Sequence, residues 1–189
     1  MTLSWVVWIT PAFVLFWAVG AYNRLVRLRG QAIAGFVVLD GHLSQYIAIV
    51  DEHLKTASFR APALAPASAT PRDANPATAW AGLHGARSQF EASLRVARKQ
   101  ALDAGAMAAL QTALATLQMS WSRVAEACRD HQGDLLSPMG ERLWADNTQN
   151  ANYASAEFNR AVVAYNAAVT QFPALVLAYL FSFRPAGCI

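Results

Sequence analysis

Apolar and polar positions divide this chain into an uncharged opening, several segments with helical three-four spacing, and an apolar ending. No charged side chain occurs before Arg24, and Met1 to Asn23 include Leu3, Val6, Val7, Ile9, Phe13, Val14, Leu15, Phe16 and Val19. That is enough apolar length for a helix to cross a hydrocarbon core of roughly 30 Å. Trp5 and Trp8 stand near one end and Trp17 and Tyr22 near the other. Trp5 and Tyr22 would sit about 25 Å apart along a helix, where interfacial aromatic belts belong. Residues 1–22 therefore predict a transmembrane anchor, in which Pro11 is tolerated as it would not be in a soluble helix.

Arg24, Arg27 and Arg29 follow at once, and no Lys or Arg precedes the span. Basic residues beside a span stay on the cytoplasmic side, so a single pass with the bulk of the chain in the cytoplasm is the expectation. The competing reading is a cleaved secretory signal, for which Ala18-Val19-Gly20 before Ala21 offers small residues. A signal, however, carries its bases before the apolar core, and here they come after it.

Beyond the anchor the periodicity is helical and strand alternation is scarce, so the fold should be all-α: a transmembrane helix continuing into an antiparallel four-helix bundle, then a short apolar tail. The first bundle helix, 23–57, sets Tyr22, Leu25, Ile33, Phe36, Leu43, Ile47, Val50 and Leu54 on one face, interrupted by Arg29 and Asp40. Gly30, Gly35 and Gly41 each weaken it by roughly 1 kcal/mol relative to Ala and mark a place for a hinge. Residues 58–79 turn to alanine with Pro62, Pro66, Pro71 and Pro76, a loop or linker without a P-x-x-P.

The other bundle helices occupy 80–172. One shows Leu83, Phe90, Leu94, Ala97 and Ala101 on one side; after a turn at Asp103 to Gly105, the next repeats Met107, Leu110, Leu114, Leu117, Trp121, Val124 and Cys128. Ser137 and Pro138 suit the start of the last helix, whose apolar face is Leu143, Ala154, Phe158, Val162, Tyr165 and Val169. Asn152, Asn159 and Asn166, seven apart, stack on one azimuth beside that face, where they either hydrogen-bond to a neighbour or lie in solvent. This helix should travel back toward the bilayer. The tail, 173–189, carries Leu175, Leu177, Leu180, Phe181 and Phe183; it is too short to span and either lies in the interface as a second membrane contact or packs over the bundle end.

Asp40 falls on the apolar seam and would need a partner there. Arg160, Asn159 and Asn166 on the returning helix are the candidates for a register-fixing contact. His42, His53, His84 and His131 lie on different segments, with no H-E-x-x-H, Cys-x-x-Cys, G-x-S-x-G or phosphate-cradling glycine loop. No catalytic residue, metal or cofactor is expected. The formal charge of +3 comes mostly from arginines, three of them beside the membrane, and nothing resembles a basic stripe interleaved with aromatics that would track a nucleic acid backbone. Cys128 and Cys188 are far apart and read as free thiols, with palmitoylation of Cys188 the alternative.

Tyr22-Asn23-Arg24-Leu25-Val26-Arg27-Leu28-Arg29 after an N-terminal span resembles the opening signature of the LemA family of bacterial membrane proteins. Phe158-Asn159-Arg160-Ala161-Val162-Val163-Ala164-Tyr165-Asn166, the Phe172-Pro173 stop and the apolar ending are similar to its closing motif. The first turn departs from that pattern: Tyr46 to Asp51 lacks the family's Pro break. The resemblance implies an inner-membrane helical bundle facing the cytoplasm and brings no agreed biochemical activity. A non-enzymatic scaffold or adaptor is the expectation, in contact with the bilayer and with another membrane protein or a second copy of itself. The alternative is an exported sensor with a ligand in the bundle interior.

Overall fold

The computed structural model describes residues 3–60, 76–130, 137–172 and 174–189, and the side chains of Phe13 and of 15–57, 77–129, 137–172 and 174–189. Among the described residues there are five helices and no strand: α1 (Leu3–Arg60), α2 (Pro76–Lys99), α3 (Ala104–Asp130), α4 (Pro138–Thr170) and α5 (Ala174–Leu180). The side chains of Trp5 and Trp8, and residues 61–75 of the alanine-proline segment, lie outside the described residues.

The predicted anchor and the first predicted bundle helix are one element. The 58 residues of α1 extend about 87 Å at 1.5 Å per residue, and the helix runs unbroken through Gly30, Gly35 and Gly41, where a hinge was expected. At Gly35 the helix is held against α4: a Cβ there would stand in van der Waals contact with Phe158, 3.4 Å from its Cα. One helix among the described residues, α1, is long and apolar enough to cross a membrane.

The buried face of α1 is Leu25, Ala32, Phe36, Leu39, Leu43, Tyr46 and Val50, a four-three alternation that presents one stripe to its neighbours. This corrects the expected seam, since Ile33 and Tyr22 are exposed and Ile47 and Leu54 only half-buried. Ala32 takes the place expected of Ile33 because close-packed helices accept a small residue at the contact. On α4 the buried stripe is Asn147, Ala151, Ala154, Phe158, Val162, Tyr165 and Val169; Leu143, expected there, is exposed.

α1 and α4 run in opposite directions along each other. Gly140 sits on His53, Phe36 meets Phe158 edge-on at 5.8 Å, and Trp17 meets Phe172 at 5.6 Å. α2 begins at Pro76, a turn earlier than Trp80, because a proline at the first helical position forfeits no hydrogen bond. α2 and α3 form a tight hairpin in which Asp103 caps α3, accepting from Ala106 N at 2.8 Å. Ser137 caps α4 in the same way, accepting from Gly140 N at 3.1 Å. One core joins all five helices: Leu83, Phe90 and Leu94 from α2, and Met107, Leu110, Leu117 and Val124 from α3, bury against α1 and α4, with Ala174 and Ala178 of α5 closing one end.

Candidate functional site

The end of the molecule from which the apolar part of α1 projects gathers most of the residues singled out in the sequence. α4 ends at Thr170, and α5 turns away from it by 92°. Ala174 and Ala178, four apart, face inward, which leaves Leu175, Val176, Tyr179 and Leu180 exposed as an uncharged apolar face. Leu177 is half-buried. Ser182 adopts φ 56°, and Phe183 N donates to Ala178 O at 2.9 Å, so α5 closes with a left-handed residue and the chain leaves in an extended direction. Tyr22 collects the aromatic residues of the tail, with ring centroids 5.1 Å from Phe181 and 6.1 Å from Phe183. Phe172 remains 78% exposed beside Trp17. An open groove of about 430 Å³ runs between α1 and the α4–α5 bend, with Phe16, Trp17, Gly20, Arg24 and Phe172 on its walls.

Arg24, Arg27 and Arg29 are exposed, and none has an ion pair among the described residues; Arg29 lies over the Phe183 ring at 6.0 Å. Arg184 adds a fourth guanidinium at this end. The sequence supplies no carboxylate side chain before Asp40 or after Glu157; the acidic side chain that the fold brings toward this end is Asp103, between Leu102 and Ala104 in the turn that Gly187 touches.

Two of the three stripe asparagines hold the tail. Asn159 Nδ2 donates to Ile189 O at 2.6 Å while its Oδ1 accepts from Ile189 N at 2.9 Å. Asn166 repeats the pattern on Ala186, donating at 2.9 Å and accepting at 2.7 Å. Tyr165 Oη donates to Arg184 O at 3.0 Å, and Gly187 N to Leu102 O at 3.2 Å, so the tail bridges α4 and the α2–α3 turn. Burial holds the Tyr165 phenol above its ordinary range, with Arg29 opposing that shift. A Cβ at Gly187 would lie 2.5 Å from Ala104 Cα, which fixes glycine there. Asn152, the third of the stripe, is exposed.

Asp40 does not meet Arg160, Asn159 or Asn166. It accepts from Arg98 Nε of α2 at 2.7 Å, and Arg98 also donates to Ser44 Oγ. The seam's true phase explains the correction: Leu39 and Leu43 face the core, and Asp40 is rotated toward α2. Arg160 pairs instead with Glu157 on its own helix at 2.7 Å. A second α1–α2 link is bidentate, Arg87 to both oxygens of Asp51 at 2.8 Å, and these bonds raise the Arg87 pKa further.

At the far end from the apolar part of α1, Trp121 of α3 stacks on Trp144 of α4 with centroids 4.3 Å apart, and Tyr46 and His53 meet this pair edge-on. Trp121 was legible as a core residue; the partner Trp144 was not, because the expected face began at Leu143, one residue away, whereas Trp144 continues the observed stripe three residues before Asn147. His53 Nδ1 bonds Ile49 O at 2.7 Å. Asn147 donates to His42 O at 3.1 Å, but its Oδ1 is buried without a partner among the described residues. Among the described residues no three His, Cys, Asp or Glu side chains come together in a way that could hold a metal ion. Cys128 is buried, and burial pushes its thiol pKa up, whereas Cys188 is exposed. No protein-family model, curated protein or solved structure matches this chain.

Proposed function

We propose that this chain is a membrane-anchored, LemA-like antiparallel four-helix bundle that serves as a non-enzymatic scaffold or adaptor for another membrane protein at the cytoplasmic face of the bacterial inner membrane. The observation that carries the reading is a stripe on α1 that no described residue covers. Val26, Gly30, Ile33 and Val37 recur at four-three-four spacing opposite the core, and Val37 is 65% exposed. Apolar and small residues in that pattern suit the face of a second helix. The stripe lies on the same unbroken helix as the anchor, so a docked partner would be held at a fixed height and azimuth relative to the bilayer. Arg24, Arg27 and Arg29, exposed just past the apolar segment, support the inward orientation.

Two measurements test this. A photo-crosslinking residue at Val37, used in intact membranes, is expected to capture one recurring membrane protein; an adduct of twice the chain's mass would replace the adaptor role with self-association, and no adduct would overturn docking altogether. Cys188 tests orientation. Its thiol should react with a membrane-impermeant reagent only after lysis, with Cys128 protected in the folded protein, and reaction in intact cells would refute the cytoplasmic assignment.

A further inference from the structure

We infer that the groove between α1 and the α4–α5 bend is a binding site for one anionic phospholipid, its phosphate against Arg24 and an acyl chain laid along Trp17, Phe16 and Phe13. The inference rests on the reading of α1 as a membrane span and goes beyond it in assigning a discrete lipid. Its volume of about 430 Å³ falls within the roughly 300–1,000 Å³ of sites that take small molecules. Its polarity is graded in the direction a lipid requires. Arg24 and Gln171 line one end, and Phe13 lines the other, about 17 Å away along the helix.

With Tyr22 at the interface, Arg24 stands at headgroup level and the aromatic wall runs down into the acyl region. Gly20 lines the groove, and a Cβ there would meet nothing within 4 Å, so the absent side chain is part of the space. Charge selects the headgroup. Arg24 has no ion pair among the described residues, and Arg27, Arg29 and Arg184 crowd the same end without a carboxylate near them in sequence. A basic pocket beside a span on the cytoplasmic side favours an anionic headgroup over a zwitterionic one, whose own cation would face the guanidinium groups.

The full chain in mild detergent, examined by native mass spectrometry with added phosphatidylglycerol or phosphatidylcholine of matched chains, provides the test. One phosphatidylglycerol should be retained under activation that strips phosphatidylcholine. Arg24→Gln should lower that retention about fivefold, whereas Arg123→Gln, exposed on α3 at the far end of the bundle, should leave it unchanged. Gly20→Leu should fill the groove and abolish retention with helicity and melting temperature preserved. Equal retention of the two lipids, equal losses in the two arginine variants, or retention surviving Gly20→Leu would each overturn the site. Resistance of the protein to carbonate extraction tests the span independently of all three.

Discussion

Removing the amides of Asn159 and Asn166 should release the C-terminal tail without unfolding the helices. Four hydrogen bonds of 2.6 to 2.9 Å join these two side chains to Ala186 and Ile189. At about 0.5–1.5 kcal/mol net for each, they contribute roughly 2–6 kcal/mol. Against this stands the entropy of ordering the segment, about 1–2 kcal/mol per residue of backbone. Docking is a small difference between the two, so one amide, worth about 1–3 kcal/mol, is enough to decide its sign. Asn166→Ala should speed hydrogen exchange at the Ala186, Gly187 and Ile189 amides by about ten- to a hundredfold, as 1.4 kcal/mol corresponds to a factor of ten, while core amides of α4 keep their protection. Because both asparagines hold one segment, Asn159→Ala on top of Asn166→Ala should cost much less than it does alone. Strict additivity in denaturant titration, or an Ala186 amide that stays protected in the double variant, would refute the clasp.

An isosteric variant makes the same claim through pH. Asn166→Asp keeps the size but replaces the donor facing Ala186 O with a carboxylate oxygen, so at neutral pH it should undock the tail at least as fully as alanine does. Protonation restores a donor. The docked state therefore holds the new carboxyl's pKa above the unfolded value of about 3.9. Docking should be fully present below that unfolded value and disappear as pH rises through the raised folded one. Exchange at Ala186 that does not depend on pH, once corrected for the intrinsic rate, would show that the bond to Ala186 O does not matter.

Other perturbations separate the remaining contacts. In a double-mutant cycle in detergent, Asp40→Ala and Arg98→Ala should couple by about 0.5–1 kcal/mol, as partly exposed pairs do, whereas Asp40→Ala and Arg160→Ala should not couple. Gly140→Ala should lower stability by about 1–3 kcal/mol, because its Cβ would overlap the His53 ring, which is fixed by Ile49 O and Trp121; His53→Ala in the same chain should relieve most of that loss in thermal melts. Asn147→Leu should be neutral or stabilising by up to about 2 kcal/mol, since it removes a buried acceptor that has no partner among the described residues and leaves His42 O its intrahelical bond.

Helical character was legible along the chain because three-four spacing is strong in α2, α3 and α4. The phase of α1 was not. A reading by hydrophobicity chooses Ile33 and Ile47, but the core takes Ala32 and Tyr46, each one residue away, because close approach to α4 at Gly35 leaves room for a small residue and Tyr46 Oη finds Thr148 Oγ1 at 3.0 Å. That rotation of one residue, about 100° on a helix, also misplaced Asp40, which belongs to the side facing α2. The asparagine stripe was visible from its spacing of seven, yet its partner was not, because Arg184 to Ile189 has no periodicity that would announce an extended segment lying against a helix. Gly187 was the one available sign, since only close approach to Ala104 demands it.

Why asparagine stands at these positions follows from what an extended chain needs when it lies beside a helix. Such a segment has no ladder, and wherever its backbone groups are shut off from water an unsatisfied one costs several kcal/mol. A side-chain amide offers one donor and one acceptor side by side, which is what a neighbouring strand would have offered. Seven residues of α4 advance about 10.5 Å, and three residues of a polyproline-like chain advance about 9.3 Å, so Asn159 and Asn166 can meet Ile189 and Ala186 with only a small adjustment. Pro185 has no N–H to satisfy, and Gly187 sends its own to Leu102 O on the opposite side. The uncharged face of α5 and the return of the tail are thus parts of one arrangement: the chain can leave the helical regime beside the apolar part of α1 because α4 carries substitutes for the hydrogen bonds it gives up.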